Sequence, residues 1–327
     1  MATVGTVTLN PALDRTVALN SLRLHTLNRA DSVRVDAAGK GINVARVLTR
    51  LGHSSVCLGF LAGDTGRTVA TLVEREGLPT DFLWVGGETR TNLKLVEYGG
   101  LVTEVNERGP LVTEQDLDAL AEQFQQRLNR FHMAVVAGSA PAGVSPGYYA
   151  RLVSSARQAG VPVALDAEGE ALEAGLSAGP DLVKPNADEA ARLAGARPDT
   201  LSEAAEVAAI LADRGVRLAL VSMGALGCAY ATRDEYGWAE APAVAARSTV
   251  GAGDSLVAGT VASLLEKRPP AEAVRWGVAI AASAVRWQGP GRPDPGEVAG
   301  LLSQTAVRTT RRQAPKAPGP ARRERIP

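Results

Sequence analysis

Short apolar runs rich in β-branched residues alternate along this chain with amphipathic stretches, and glycine, proline or asparagine marks most of the changeovers. Residues 3–9 form the first such run and are stopped by Asn10-Pro11, which predicts a strand with Asp14 on the loop beyond its C-terminal end. Two short alternating pieces, 16–19 and 32–35, follow without a helical pattern between them and predict strands of a small separate sheet. The period then changes: Val44, Val47, Leu48 and Leu51 continue Ala38-Gly39-Lys40-Gly41-Ile42-Asn43 as a helix ending at Gly52. Residues 56–60 predict a buried strand and 65–76 a helix closed by Gly77. Runs 92–98 and 101–107, separated by Gly99-Gly100, predict a hairpin. Its alternation aims Arg90, Asn92, Lys94 and Asn106 at one face, either as a binding surface or as an ordinary solvated edge.

From residue 113 the rhythm becomes regular. A helix over 113–130 precedes a buried strand over 133–137 that ends in Gly138-Ser139-Ala140-Pro141. A helix over 145–159 leads to a strand over 161–165 closing on Asp166. A short strand at 181–183 is followed by Lys184-Pro185-Asn186 and a helix opening at Asp188-Glu189-Ala190. Another helix spans 202–214, and a strand over 218–222 ends in Gly224-Ala225-Leu226-Gly227. Residues 230–240 predict a second hairpin at a sheet edge. Two long helices rich in alanine and glycine, 255–266 and 272–287, are suited to close packing; Gly289-Pro290-Gly291 breaks the second, and 295–302 forms a last short helix. Polar or glycine residues directly after apolar strands predict a doubly wound, mostly parallel α/β sheet with its chemistry at the strand C-terminal ends. The early strand pieces and the first hairpin predict a small β-sheet lid over it, from segments of about 14–36 and 90–108.

Composition changes this picture little. The 327 residues, 45% apolar, supply core for one large α/β domain or two ordinary ones. Lys plus Arg equals Asp plus Glu at 35 each, but the balance is uneven: 308–327 carries +6 and 1–307 carries −6. The domain is therefore assigned to 1–307, and the basic, proline-rich 308–327 is expected to be a disordered, solvated tail rather than a nucleic-acid arm. Cys57 and Cys228 sit in apolar runs at neither metal-ligand nor redox spacing, and read as reduced core residues of a cytoplasmic protein. Neither a secretory leader nor an apolar run of about 18 residues is present, so a membrane partner is not expected.

The stretch Ser248-Thr249-Val250-Gly251-Ala252-Gly253-Asp254-Ser255 carries the sharpest chemistry, because it is read as ending a strand-like run and opening a helix. Gly251 and Gly253 free backbone N–H groups to converge on a phosphate, and a helix N-terminus adds about half a positive charge there. Asp254 places a base beside that anion hole; a glycine turn with Asp254 as an ordinary N-cap is the competing reading. Lys40 between two glycines, with Asn43 one turn on, suits a phosphorylated sugar, or is simply the turn into a helix. A dinucleotide fingerprint is rejected there, since Val44 takes its third small position. The sequence lacks a Walker-type phosphate loop, and its three histidines, at 25, 53 and 132, neither flank a nucleophile nor suggest zinc.

Asn10-Pro11-Ala12-Leu13-Asp14, Ala38-Gly39-Lys40-Gly41-Ile42-Asn43, Gly138-Ser139-Ala140-Pro141, Lys184-Pro185-Asn186 with Glu189, and Thr249-Val250-Gly251-Ala252-Gly253-Asp254 occur in the order and spacing of the PfkB carbohydrate kinases. The chain resembles that family, which has the ribokinase-like fold, over about residues 2–305, and within it is most similar to the 1-phosphofructokinase group. The resemblance implies Asp254 as catalytic base and Gly251, Ala252 and Gly253 as the anion hole. It implies Asp14 and Asn43 on sugar hydroxyls, with Gly39 and Asn106 in the same substrate site, and Lys40, Arg90, Lys94 and Ser139 around the sugar's phosphate. Lys184, Asn186, Ser222, Gly224, Ala225, Gly227 and Thr249 are expected on the ATP side, with Asn186 and Glu189 organising Mg²⁺ through water. Two departures stand out: Ala167-Glu168-Gly169 replaces the two serines and an arginine usual after Asp166 in that group, and an adenine-side asparagine is not evident in Trp287-Gln288-Gly289-Pro290.

The expected reaction is ATP-dependent phosphorylation of a ketohexose monophosphate, D-fructose 1-phosphate to the 1,6-bisphosphate, with tagatose 6-phosphate or fructose 6-phosphate as alternative acceptors. A homodimer paired through the lid is the expected assembly. The rival from another class is a non-catalytic sugar-phosphate sensor whose tail binds nucleic acid. A nucleoside kinase is disfavoured by the positive charge of Lys40, Arg90 and Lys94.

Overall fold

A computed structural model describes residues 1–312 apart from Gln288 and Pro290. Its elements, in chain order, are β1 (Thr3–Thr8), β2 (Ala12–Leu19), β3 (Ser32–Ala38), α1 (Lys40–Arg50), β4 (Ser54–Ala62), α2 (Gly63–Arg75), β5 (Thr80–Val85), β6 (Arg90–Glu97), β7 (Val102–Asn106) and α3 (Glu114–Arg127). There follow β8 (Met133–Ala137), α4 (Gly147–Gln158), β9 (Val163–Asp166), α5 (Gly169–Ser177), β10 (Leu182–Val183), α6 (Ala187–Ala194), α7 (Leu201–Asp213) and β11 (Leu218–Ser222). The chain continues through β12 (Gly227–Ala231), β13 (Glu235–Glu240), α8 (Ala252–Leu265), α9 (Pro270–Ala284), α10 (Pro295–Gln304) and β14 (Val307–Arg311).

The large sheet has ten strands in the order β14-β13-β12-β11-β10-β9-β8-β1-β4-β5. Strands β11 through β5 in that order run parallel, and β12, β13 and β14 add an antiparallel edge. Both faces of the parallel block are covered, which is why its strands read as unbroken apolar runs. In β8, Ala134 and Val136 join the core beneath α3, α4, α5 and α7, while Met133, Val135 and Ala137 join the core beneath α1, α8, α9 and α10. This period-two division lets one strand anchor two helical layers.

The second sheet is ordered β3-β2-β6-β7, with β2 and β6 parallel and the outer pairs antiparallel. Its connection to the large sheet fixes where it sits. β1 passes through Leu9-Asn10-Pro11 straight into β2, and β3 passes through Gly39 straight into α1. The root of this lid therefore stands over the C-terminal end of the central strand β1.

The doubly wound sheet with a small lid is the architecture the sequence predicts. Several local expectations need correction. Asp14 lies inside β2, not on a loop, because the lid strand begins almost directly after β1. No strand runs directly into α8: residues 241–249, after β13, are irregular, held to the end of α9 by Arg247 and Ser248 N–H groups donating to Val285 O at 2.7 and 3.1 Å. The strand β5 and the helix α5 were not expected; β5 is a short, half-buried edge strand whose apolar run Phe82-Leu83-Trp84-Val85 lacks alternation, and α5 holds two glycines in nine residues. The boundary at 307 also moves, since residues 307–311 form β14 and pair with β13; the rest of the expected tail, 313–327, lies outside the described residues.

Candidate active site

The site forms where β1, β8, β9, β10 and β11 end and the N-termini of α1 and α8 face them. At Gly39, φ is +141° and an added Cβ would stand 2.7 Å from Thr8 Cγ2; at Gly41 it would stand 2.5 Å from Thr8 Oγ1. Only glycines let α1 begin this close to β1. The first turn of α1 thereby presents Lys40 and Asn43 to the strand ends.

Gly251 takes a left-handed conformation (φ 77°) as the N-cap of α8, and Asp254 follows within the first turn. The Ala252 N–H donates to Thr249 O at 3.2 Å. Those of Gly251, Gly253 and Asp254 have no partner among the described residues and remain at the positive end of the helix. Lys184 approaches the same turn: an added Cβ on Gly253 would lie 3.4 Å from its Nζ.

Asp254 is buried, and its Oδ2 accepts from Asn43 Nδ2 at 2.7 Å. Burial, followed by repulsion from Asp166, pushes its carboxyl up to about 6, against the opposing pull of Asn43, Lys40 and Lys184. Asp166 ends β9 and faces both lysines through Oδ1, Lys40 Nζ at 3.2 Å and Lys184 Nζ at 3.5 Å. Its Oδ2 is buried without a hydrogen-bond partner. Burial works against a charge on Lys40, yet the carboxylates of Asp166, Asp254 and Glu189 outweigh it and hold the ammonium above its ordinary range. The crevice thus combines a carboxylate poised near neutrality with two cations and a helix terminus.

On the lid, Asp14 accepts from Asn92 Nδ2 at 2.8 Å and from Lys94 Nζ at 2.7 Å. Lys94 is thus committed to neutralising Asp14 in this arrangement. Arg90 donates through Nε to Asn10 O at 3.2 Å and through Nη1 to Asn92 Oδ1 at 3.5 Å, and burial lowers the pKa of its guanidinium. Asn106 is opposite Asn92 in the ladder, but β7 is exposed throughout and the side chain turns to Glu104 at 3.4 Å, so the structure leaves it outside the cluster. Ser139 is half-buried just past β8, next to Gly138, whose carbonyl is held by Tyr149 Oη at 2.9 Å.

On the other side of α8, Asn186 and Glu189 form the capping box of α6: Asn186 Oδ1 accepts from Asp188 and Glu189 N–H groups, and Glu189 Oε2 accepts from Asn186 N at 2.8 Å. Asn186 also bridges to Ser222, whose N–H donates to Pro185 O at 3.0 Å. Beyond Ser222, exposed Gly224 and Ala225 form a single 3₁₀ turn ahead of Gly227, where φ is +126° and a Cβ would strike Ala239 O at 2.1 Å. These loops flank an open face suited to a nucleotide. Thr249 is exposed at the mouth of the same face.

Three participants escaped the sequence reading. Asp166 was seen only as a strand-end residue, although a carboxylate directly after an apolar strand is the signal that fits the others. Arg46 and Glu76 were missed outright: Arg46 Nη1 donates to Asn43 Oδ1 at 2.7 Å, its Nη2 to Ala37 O at 3.0 Å, and its fork engages Glu76. A charged residue among Val44, Val47 and Leu48 on a buried helix was the available sign.

Known proteins are similar to this chain in sequence and fold. Residues 7–296 match the pfkB family carbohydrate kinase model. The chain is 36% identical over 304 residues to a 1-phosphofructokinase of Vibrio cholerae serotype O1, covering 93% of this chain and 96% of that one. It is 35% identical over 301 residues to the 1-phosphofructokinase of Escherichia coli K12, covering 92% and 96%. Among solved structures, phosphofructokinase-2 from Escherichia coli in complex with potassium superposes with a TM-score of 0.86 at 29% identity, covering 93% of this chain and 99% of that one. The chain belongs to the pfkB family of carbohydrate kinases.

Proposed function

We propose that this kinase transfers the γ-phosphoryl group of ATP to the free primary hydroxyl of D-fructose 1-phosphate, giving the 1,6-bisphosphate. The observation that carries the chemistry is Asp254, a buried carboxylate at the head of α8, hydrogen-bonded by Asn43 and beside unpaired N–H groups. Phosphoryl transfer demands positioning and charge stabilisation more than covalent chemistry. Asp254 accepts the hydroxyl proton as the bond to phosphorus forms, and the N–H groups of Gly251 and Gly253 meet the charge on the transferred oxygens. Asp14 and Asn43 hold sugar hydroxyls, while Lys40, Arg90 and Ser139 surround the phosphate already on the sugar, with Lys94 acting through Asp14. Ser222, Gly224, Ala225, Gly227 and Thr249 border the nucleotide, and Lys184 lies between the two sites.

The residues present fit a magnesium ion held mainly by nucleotide phosphates and water. The buried Asp166 Oδ2 has no protein partner, and the capping box leaves the second Glu189 carboxylate oxygen uncommitted. Asn186 and Glu189 would order water around the ion, which when bound screens phosphate charge. The names of the curated relatives support the acceptor. The free, buried state of Cys57 and Cys228 supports a reducing cytoplasmic setting. No helix among the described residues is long and apolar enough to cross a membrane. The lid's outward face supports pairing with a second copy of the chain.

A coupled assay with fructose 1-phosphate, fructose 6-phosphate and tagatose 6-phosphate tests the acceptor. The expected result is a kcat/KM on fructose 1-phosphate at least about tenfold above either alternative, which corresponds to about 1.4 kcal/mol of transition-state discrimination. Preference for either 6-phosphate would overturn the assignment while leaving the kinase chemistry in place.

A further inference from the structure

An asparagine side chain has two faces, a carbonyl oxygen that accepts and an amide that donates. The Asn43 carboxamide lies between Asp254, which as a carboxylate only accepts, and Arg46, which only donates. Arg46 Nη1 to Asn43 Oδ1 and Asn43 Nδ2 to Asp254 Oδ2 are each 2.7 Å. Arg46 is buried, and three of its remaining donors are used by Ala37 O and by both carboxylate oxygens of Glu76, at the end of α2. One guanidinium therefore ties the root of lid strand β3, the C-terminus of α2 and the reactive end of α1 into a fixed frame.

We propose that Arg46 is a positioning residue for catalysis: its guanidinium, braced by Glu76, locks the Asn43 carboxamide in the one orientation that directs an N–H at Asp254. With that fork removed, the amide is free to rotate by half a turn and set its carbonyl against the carboxylate. The consequence is electrostatic. A donor beside Asp254 favours its ionised form, whereas a carbonyl dipole opposes it. The other charged groups bearing on Asp254, namely Asp166, Lys40 and Lys184, are untouched by the change.

This inference rests on Asp254 being the base, and the experiment separates the two claims. The pH dependence of kcat/KM is measured for the wild type, Arg46→Met, Arg46→Lys, Glu76→Gln, Asn43→Ala and the Asn43→Ala/Arg46→Met pair, with the melting temperature of each recorded. In Arg46→Met the acid limb is expected to move up by about one pH unit and the plateau to fall by about tenfold or more. Arg46→Lys, which retains a donor for Asn43 but no fork for Glu76, is expected to recover part of both. Glu76 is 28% exposed, so Glu76→Gln loosens the brace without emptying the core and is expected to shift the limb in the same direction by less. In the Asn43→Ala background, Arg46→Met is expected to move the limb no further.

The proposal is overturned if Arg46→Met and Glu76→Gln lower the rate with the acid limb unmoved, or if the Arg46→Met shift persists in full without Asn43. An Asp254→Asn enzyme with wild-type turnover would instead overturn the reading of the base.

Discussion

At the scale of the residue, Asp254 shows how a side chain made useful for chemistry weighs on stability. Its carboxyl is raised to about 6, with burial the largest cause, so the folded protein holds this proton more tightly than the unfolded chain does. The contribution to stability is present below the ordinary carboxylate range and is lost as pH rises through about 6. At neutral pH the folded enzyme therefore carries an ionised carboxylate that the unfolded chain would solvate better. Asp254→Asn removes that charge and leaves an oxygen to accept from Asn43. It is expected to lower kcat by about 10²–10⁴ or more while raising the melting temperature at pH 7.5 by a few degrees. Measured together by initial rates and calorimetry, the two changes of opposite benefit identify a functional charge; a fall in both would mark Asp254 as structural. The wild-type rate should decline as pH falls through about 6, where the base takes up its proton.

Among the elements, the catalytic turn depends on how closely α8 can lie against α9. An added Cβ on Gly277 would meet Thr260 Oγ1 at 2.3 Å and Leu256 O at 2.8 Å, and one on Gly259 would meet Gly277 Cα at 3.0 Å. Gly277→Ala must push the helices apart against backbone, and overpacking of this kind costs about 1–3 kcal/mol. Leu256 and Thr260 follow Asp254 by two and six residues on the same helix, so the displacement reaches the base. Urea midpoint and turnover are expected to fall together, and an unchanged midpoint would show that the helices have slack. This contact was readable in the alanine and glycine content of both segments. So was the position of Lys40 and Asn43, since glycine on both sides of a lysine marks a backbone that must approach something closely. The lid's polar face was readable for the same reason, as strict alternation leaves little choice of side. Other features had no local signature. Edge strand β14 carries Arg308 and Arg311 and owes its form to pairing with β13, a long-range partner that no window of residues contains. Arg46 and Glu76 are 30 positions apart, and their meeting follows from α2 packing beside α1. Asp14 and Lys94, expected on the hydroxyls and on the phosphate of one sugar, also meet each other because β2 and β6 are parallel neighbours, a pairing no local stretch of sequence shows.

For the whole molecule, two surfaces carry consequences that no single element shows. On the lid, the face opposite Asp14 and Asn92 exposes Val33 (46%), Val35 (37%) and Val105 (57%), an apolar patch that a second copy of the chain would cover. Val35→Asp is expected to convert a dimer to a monomer in analytical ultracentrifugation, and a wild-type monomer would remove that assignment. At the far edge of the large sheet, β14 closes the molecule. Arg312 pairs with Asp213 at 2.7 Å, Thr309 Oγ1 bonds Tyr230 Oη at 2.7 Å, and Gly237 lies so near Arg308 that a Cβ would sit 1.9 Å from its carbonyl. The +6 charge of 308–327 is thus divided between a docked strand and the residues after it. Deleting 313–327 removes none of these contacts and is expected to leave melting temperature and kcat unchanged. Deleting 307–327 bares the β13 edge, leaves Tyr230 without its hydroxyl partner and exposes unpaired strand N–H and C=O groups. That truncation is expected to lower the melting temperature by several degrees and to promote aggregation, with turnover per folded molecule retained. Its edge lies beyond β11, β12 and β13, on the opposite side of the sheet from β1. Equal stability of the two truncations would show that β14 rests on the sheet without holding it.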